Sequence, residues 1–483
     1  EMINGDWSSD VCSSDLIICT IGPASDTIEV AKKLIEAGMN VARFNMSHGD
    51  HSEHAKRIKV IRDAASELNA SVGILLDTKG PEVRLKRFKN GQVYIKERET
   101  FTFTGEDVIG DEKRVSVSYP NLAHDLKKGD IVMVNDGLLK FVVLEINGKD
   151  ILCECIRGGM MSDKKGMNFP DVVLEMEYIS KIDYDDIIFG IEQNVDFIAA
   201  SFVSNASNIH DIRNILKQHN MEEEIDIIAK IENSEGVKNI DEIFEESDGI
   251  MIARGDMGVE IPFQRLPAIQ KMLVNKSIKL GKRVIVATEM LESMISNPRP
   301  TRAETNDVAN AVYEGASAIM LSGETAAGKY PVECVQTMSN IAFETEKQMD
   351  YYKQLNKAKR TITNSTDAIS HACCNAAHTL GAKLIFVFTS TGYSARKVSR
   401  FRPEVPIIAM VLNKKAYQRL SITWGIYPNL VHESNEPKTL DEVFELINEK
   451  ARDYGCKPGD KVITTCGWPL KEETNFMKII TIK

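Results

Sequence analysis

Eight short apolar runs, each followed by a stretch patterned as helix or loop, constrain this chain more than anything else in it. They fall at 16–21, 41–44, 74–76, 197–200, 225–231, 249–253, 284–287 and 318–321. Uninterrupted runs of this length suit parallel strands buried on both faces, whereas a half-exposed strand alternates apolar and polar residues. Segments between them, such as 28–38 and 265–281, carry helical spacing and end in Gly38 and Gly281, a common helix stop. Eight strand–helix repeats predict a closed barrel of the TIM (β/α)8 class.

One gap breaks the rhythm. The third and fourth runs lie about a hundred residues apart, far beyond an ordinary strand-to-helix loop of two to six. Alternating runs at 93–95, 101–103, 115–117, 131–134 and 141–144, with turns such as Asn147-Gly148, predict a small inserted β-barrel domain there. Its position allows it to close over the mouth of the larger barrel. Beyond residue 345 a charged helix over 343–354 leads into alternating patterns at 367–380, 384–388, 395–400, 407–412 and 440–454. Strands at 461–465 and 477–482 complete an open α/β sheet. The expected division is a catalytic barrel over 16–80 and 179–345, a lid over 81–178 and a C-terminal α/β domain over 346–483. Residues 1–15 hold a small repeat, Ser8-Ser9-Asp10-Val11-Cys12-Ser13-Ser14-Asp15, with little strand or helix character, and read as a non-native segment.

Composition narrows the function. A chain of 483 residues exceeds one ordinary core. A net charge of −11 argues against general nucleic-acid binding, which needs a basic face, but permits a local positive pocket. No apolar run approaches the ~20 residues of a membrane span. The nine cysteines lack zinc-site spacing and fit the reduced thiols of a cytoplasmic protein.

Barrel chemistry sits at the C-terminal ends of the strands, and there the sequence turns abruptly polar. The residues are Arg43 and Asn45, Asp77 and Thr78, Ser201, Lys230 and Glu232, Arg254 and Asp256, Thr288 and Glu289, and Ser322 and Glu324. Residues two apart on a strand share a face, so Lys230 and Glu232 point together into the mouth. Asp256 follows the next strand between Gly255 and Met257-Gly258. Glu232 and Asp256 suit Mg²⁺, which takes one or two carboxylates and completes its octahedron with water and substrate oxygens. A buried Lys–Glu pair with a separate Asp is the plainer alternative. Arg43 suits a phosphate through its planar, permanently charged fork. Asn45, Ser47, Asp77 and Thr78 offer oxygens that suit a monovalent cation, although Asn and Ser also cap helices. His48, His51 and His54 recur every three residues and read as a solvated helix face rather than a metal site. Gly323–Lys329 spells most of a P-loop, but Tyr330 stands where the Mg²⁺-binding hydroxyl belongs.

These stretches resemble the pyruvate kinase family: Cys19-Thr20-Ile21-Gly22-Pro23-Ala24-Ser25, Gly38-Met39-Asn40-Val41-Ala42-Arg43, Ser47-His48-Gly49, Asp77-Thr78-Lys79-Gly80-Pro81-Glu82-Val83-Arg84, Lys230-Ile231-Glu232-Asn233, Ala253–Gly258 and Pro298-Arg299-Pro300-Thr301-Arg302-Ala303-Glu304. Leu321-Ser322-Gly323-Glu324-Thr325-Ala326 belongs with them and accounts for the near P-loop. The resemblance implies a glycolytic phosphotransferase that converts phosphoenolpyruvate and ADP to pyruvate and ATP, with Mg²⁺ (or Mn²⁺) and K⁺ as cofactors. It implies Lys230, Arg43 and Thr288 as catalytic residues. Arg43, Lys230, Gly255, Asp256 and Thr288 would surround the substrate. Glu232 and Asp256 would hold Mg²⁺; Asn45, Ser47, Asp77 and Thr78 would hold K⁺. Asn45, His48, Arg84 and Lys165 would meet the nucleotide. Glu82 stands where potassium-dependent members carry Glu.

The C-terminal part resembles the family's effector domain. Thr389, Ser390, Thr391, Gly392 and Ser394 place hydroxyls before a helix, an arrangement suited to an effector phosphate or to capping alone. Gly467–Asn475 is acidic and lacks a Gly-Ser-Gly-type turn, which speaks against fructose bisphosphate as the effector. A homotetramer follows from the resemblance alone. Two rival functions are a Mg²⁺-dependent pyruvate-enolate aldolase and a catalytically silent scaffold. The first would not need the inserted domain, and the charged strand ends speak against the second.

Overall fold

The computed structural model describes residues 16–358, 362–432, 436–469 and 472–483. The expectation for residues 1–15, and residues 470 and 471 of the acidic loop, lie outside the described residues. Eight parallel strands close into a barrel: β1 (Leu16–Thr20), β2 (Met39–Asn45), β3 (Gly73–Asp77), β4 (Phe197–Ala200), β5 (Asp226–Ile231), β6 (Gly249–Ala253), β7 (Arg283–Ala287) and β8 (Ala318–Leu321). Each coincides with an apolar run of the sequence to within about two residues at either end, the margin expected of any boundary assignment.

Side-chain alternation divides each strand between two cores. Leu16 and Ile18, Val41, Leu75, Phe197 and Ala199, Ile228, Met251, Ile285 and Ala287, and Ala318 and Met320 form one buried cluster inside the barrel. Their neighbours, among them Ile17, Cys19, Ala42, Phe44, Ile74, Leu76, Ile198 and Ala200, pack outward against the helices. Ile422, from the C-terminal domain, joins the inner cluster and packs with it where that domain meets the barrel.

The helices are delimited by local chemistry. Thr301 and Glu304 form a reciprocal capping box at the start of Arg302–Glu314, and Ser180 with Asp183 does the same for Lys181–Glu192. Gly281 and Gly315 end their helices with φ of 69° and 92°, a left-handed turn that favours glycine.

Between β3 and β4 the chain builds a seven-stranded sheet and a two-stranded one. A single bridge between Leu85 and Val117 joins the sheet's edge regions, so it curls into a small barrel. Its core contains Phe101, Phe103 and Phe141 in edge-on and tilted contacts. The C-terminal domain is a five-stranded sheet, ordered Ile426–Leu430, Ile407–Val411, Leu384–Thr389, Lys461–Cys466 and Phe476–Thr481, the last strand antiparallel. The strand Ile426–Leu430 has no counterpart in the sequence reading. The charged helix expected over 343–354 is two helices, Pro331–Glu346 and Tyr351–Ala358.

Candidate active site

The barrel's alternation carries straight into the site. Inward residues of the core layer are Val41, Leu75, Ala199 and Ile228. Two positions further on lie Arg43, Asp77, Ser201 and Lys230, and Glu232 lies two beyond Lys230. The same parity that buries the apolar layers therefore aims five polar side chains from β2 to β5 at the C-terminal mouth.

They meet there. The Lys230 ammonium donates to Asp77 Oδ1 at 3.0 Å and to Ser201 Oγ at 2.7 Å, and lies 3.0 Å from Glu232 Oε1. Arg43 Nε donates to Asp77 Oδ2 at 2.6 Å, and its Nη1 to Thr20 Oγ1 at 2.9 Å. Asp77 is thus gripped by two cations. Burial alone would raise its pKa, but Arg43 and Lys230 outweigh burial and hold the carboxyl below its ordinary value. Burial would likewise depress Lys230, but Asp77 and Glu232 reverse the sign, so the ammonium is held firmly protonated. Glu232 is the strained member. Burial pushes its pKa up to about 7, partly offset by Lys230, while Asp256 pushes in the same direction as burial. Glu232 Oε2 accepts the Phe202 N–H at 2.6 Å. Oε1 is buried with no aligned hydrogen bond, only the ion pair. A second carboxylate close enough to disturb the first is the condition for a shared hard cation, so Glu232 and Asp256 fit a divalent metal. Among the described residues no group of three or more His, Cys, Asp or Glu is placed to hold a metal. Such an ion would therefore complete its shell with water and substrate oxygens.

After β6 and β7 the backbone itself is shaped. Asp256 lies in the first turn of the short helix Arg254–Glu260. Gly255 N–H donates to Thr288 Oγ1 at 2.7 Å. Thr288 and Glu289 both adopt left-handed backbone, with φ of 67° and 55°, a costly conformation for a β-branched residue. Arg254 holds it in place by donating to the Thr288 carbonyl at 2.6 Å and pairing with Asp307 at 2.7 Å.

Other expected residues fall in separate places. Asn45 is in register with Asp77 across β2 and β3 and Thr78 follows directly, while Ser47 lies exposed in the turn after β2 with its N–H donating to Asn45 Oδ1 at 3.1 Å. Any K⁺ there would share Asp77 with Arg43 and Lys230. Arg84 and Lys165 lie on neighbouring segments of the inserted domain, where Gly166 pairs with Arg84 and Arg84 Nε donates to Glu82 at 2.7 Å. His48 is exposed before a helix. The solvated face expected of His48, His51 and His54 is not found: His54 is buried against Phe44, and His51 donates to or accepts from Asp186 at 2.6 Å while stacking on Phe189. Ser322 and Glu324 serve structure, since Glu324 accepts the N–H groups of Leu291 and Ser322. In the C-terminal loop, Thr389 Oγ1 accepts the Gly392 N–H, Thr391 Oγ1 that of Tyr393, and Ser394 Oγ the hydroxyl of Thr474. Ser390 and Gly392 belong to the same turn. Sequence reasoning gave Ser201, Arg254 and Thr20 no role. Ser201 and Arg254 carried a signal in their position at strand ends, but Thr20 was one more residue of an apolar run.

Comparison with known proteins agrees over nearly the whole chain. Residues 13–335 match the family model described as pyruvate kinase, barrel domain, and residues 367–480 the one described as pyruvate kinase, alpha/beta domain. A pyruvate kinase of Geobacillus stearothermophilus is 46% identical over 475 residues, covering 96% of this chain and 80% of that protein. A pyruvate kinase of Clostridium acetobutylicum is 43% identical over 472 residues, covering 97% and 99%. Among solved structures, a pyruvate kinase from Cryptosporidium parvum superposes with a TM-score of 0.92 at 37% identity, covering 98% of this chain and 96% of that one.

Proposed function

The chain belongs to the pyruvate kinase family, and from that premise we propose how its own residues move the phosphoryl group of phosphoenolpyruvate to ADP. The observation that carries the reading is the Lys230 cluster, in which one ammonium and one guanidinium share a single buried carboxylate at the barrel mouth. Glu232 also balances Lys230, so positive charge for an incoming phosphate becomes available when a divalent cation occupies Glu232 and Asp256.

In this reading Arg43 holds the substrate phosphate through donors not spent on Asp77 and Thr20. Lys230 faces the phosphoryl oxygens as the bond from phosphorus to the enol oxygen breaks and a bond to the terminal ADP oxygen forms. It also stabilises the negative charge left on the enolate. Gly255 and Thr288, fixed by Arg254, border the substrate carboxylate. Thr288 would deliver a proton through water to the enolate carbon, completing pyruvate. Glu232 and Asp256 would hold Mg²⁺ or Mn²⁺, which when bound supplies positive charge to the phosphoryl and enolate oxygens. Asn45, Ser47, Asp77 and Thr78 would hold K⁺. Asn45, His48, Arg84 and Lys165 would meet the nucleotide as the lid closes. Residues 81–178 are that lid in this reading, with 16–80 and 179–345 as barrel and 346–483 as effector domain.

The test is direct. Purified protein is mixed with phosphoenolpyruvate, ADP, Mg²⁺ and K⁺, and ATP and pyruvate are followed. Equal yields of both are expected, with loss of activity on chelation and a fall on replacing K⁺ by Na⁺. Folded protein that forms neither product would overturn the reading. Among the described residues no helix is long and apolar enough to cross a membrane. A cytoplasmic homotetramer with a phosphorylated effector at the Thr389–Ser394 loop completes the proposal.

A further inference from the structure

The C-terminal domain docks on the opposite face of the barrel from Lys230. Asp226 begins β5, four residues before Lys230, so the two faces stand ~13 Å apart along that strand at ~3.3 Å per residue. At the docking face, Arg283 Nη2 and Arg419 Nη1 both pair with Asp226 at 2.9 Å, and Arg213 pairs with Asp248 at 3.0 Å. Lys282 and Arg396 join the same electrostatic neighbourhood. Five cations thus surround two acids.

A narrow, partly enclosed cleft lies in this seam. Lys282 and Arg283 line it from the barrel; Arg396, Arg400 and Arg402 line it from the C-terminal domain, together with three hydroxyl side chains. No carboxylate lines it among the described residues. Arg400 is neutralised from behind by Asp367 at 2.8 Å, and Arg283 by Asp226. Lys282 and Arg396 have no ion-pair partner within 4 Å among the described residues, although Asp248 lies near enough to both to favour their charge. Lys282 gives one proton to the Ser247 carbonyl at 2.7 Å, and Arg396 gives one to the Thr391 carbonyl at 3.2 Å. An ammonium has three donors and a guanidinium five, so most of theirs remain available. Burial pulls both groups below their ordinary pKa, Arg396 to about 10, and neighbouring arginines pull the same way against Asp248 for Lys282 and against Asp226 and Asp248 for Arg396. Cations that outnumber the acids behind them and line a hydroxyl-bearing cleft are arranged for an anion.

We propose that this seam is a binding site for a phosphate dianion, held by Lys282 from the barrel and Arg396 from the C-terminal domain. Bound there, the anion would clamp the two domains. It would act on β7, whose first residue is Arg283 and whose end leads into Thr288. It differs from the Thr389–Ser394 hydroxyl loop, because Lys282 and Arg283 belong to the barrel.

The test is calorimetric titration of the full chain with inorganic phosphate at constant ionic strength. Lys282→Gln and Arg396→Gln should each weaken a saturable phase about tenfold or more, as loss of a charged hydrogen bond implies. Lys282→Arg should retain it, and Ser390→Ala should leave it unchanged. Phosphate held at the substrate site contributes equally to every protein and cancels. Turnover of phosphoenolpyruvate and ADP checks that each variant is folded. Should Lys282→Gln fail to fold, Arg396→Gln carries the test from the other domain. Phenyl phosphate in place of inorganic phosphate tells a free anion from a phosphomonoester: tighter binding identifies the ester, weaker binding the free ion. Wild-type affinity in both Gln variants, or loss only in Ser390→Ala, overturns the proposal.

Discussion

Replacing Lys230 by Met removes the ammonium that ties Asp77, Ser201 and Glu232 together. A cation ~4 Å from a phosphoryl oxygen gains about 4 kcal/mol at an effective dielectric near 20. At ~1.4 kcal/mol per decade, that predicts a fall in kcat of about a thousandfold. Arg43 remains to hold the substrate phosphate, so KM for phosphoenolpyruvate should change far less. The substitution also has a structural cost. Glu232 would be left buried with the Phe202 N–H as its remaining neighbour of opposite polarity among the contacts seen here, and breaking a buried pair costs about 3–5 kcal/mol. A low activity could then reflect unfolding. The double variant Lys230→Met/Glu232→Gln separates the two effects. It removes both charges, so it should recover much of the lost thermal stability while kcat stays low. Steady-state rates from a lactate-dehydrogenase-coupled assay, read beside melting temperatures, give both quantities. A folded Lys230→Met enzyme within tenfold of wild-type kcat would refute the electrostatic reasoning.

Three further outcomes follow from particular contacts. Ser201→Ala removes the 2.7 Å acceptor of the Lys230 ammonium; at about 1.5–3 kcal/mol for a charged hydrogen bond, kcat should fall tenfold or more with KM little altered, and unchanged kinetics would deny Ser201 a positioning role. Asn168 Nδ2 in the inserted domain donates to Glu260 Oε1 on the barrel at 3.0 Å, so Asn168→Ala should loosen the contact between the two by about 1 kcal/mol, roughly fivefold, seen as faster amide exchange across residues 83–168; unaltered exchange would show that the contact does not hold the inserted domain. Asp196 is buried beneath Ile74, and burial raises its pKa to about 6 despite Lys415. A folded-state value above the ordinary 3.8 means the native protein binds the extra proton, so stability from this group is greatest at low pH and is lost as pH rises through 6. Two units correspond to about 3 kcal/mol. Asp196→Asn should therefore gain melting temperature relative to wild type at pH 7 compared with pH 4.5, and a difference independent of pH would contradict the shift.

What could be read without coordinates, and what could not, follows from the physics of a parallel barrel. Every barrel strand was legible, because burial on both faces forces a continuous apolar run, and Ile250 or Val286 has no exposed face on which to carry a polar residue. The charged cluster at the barrel mouth was legible for a related reason: Arg43, Asp77 and Lys230 continue the inward parity of Val41, Leu75 and Ile228, so charge at those positions interrupts a pattern that packing would otherwise make apolar. Parity says where a side chain points but not what it meets. That Asp77 answers both Arg43 and Lys230 depends on adjacent strands being in register, and Ser201 looked like any loop hydroxyl until Lys230 was beside it. The histidines failed for the opposite reason. Three-residue spacing placed them on one face, but whether that face meets water is decided by Phe44 and Phe189, which come from other parts of the chain. The interdomain cations were least legible of all. Lys282 and Arg283 are neighbours in an acidic chain, but Arg396 lies in the C-terminal domain, and nothing local to the first two reports the third. Net charge is a sum over the surface, whereas recognition depends on where a few cations converge, and only docking of the C-terminal domain on the barrel makes that convergence.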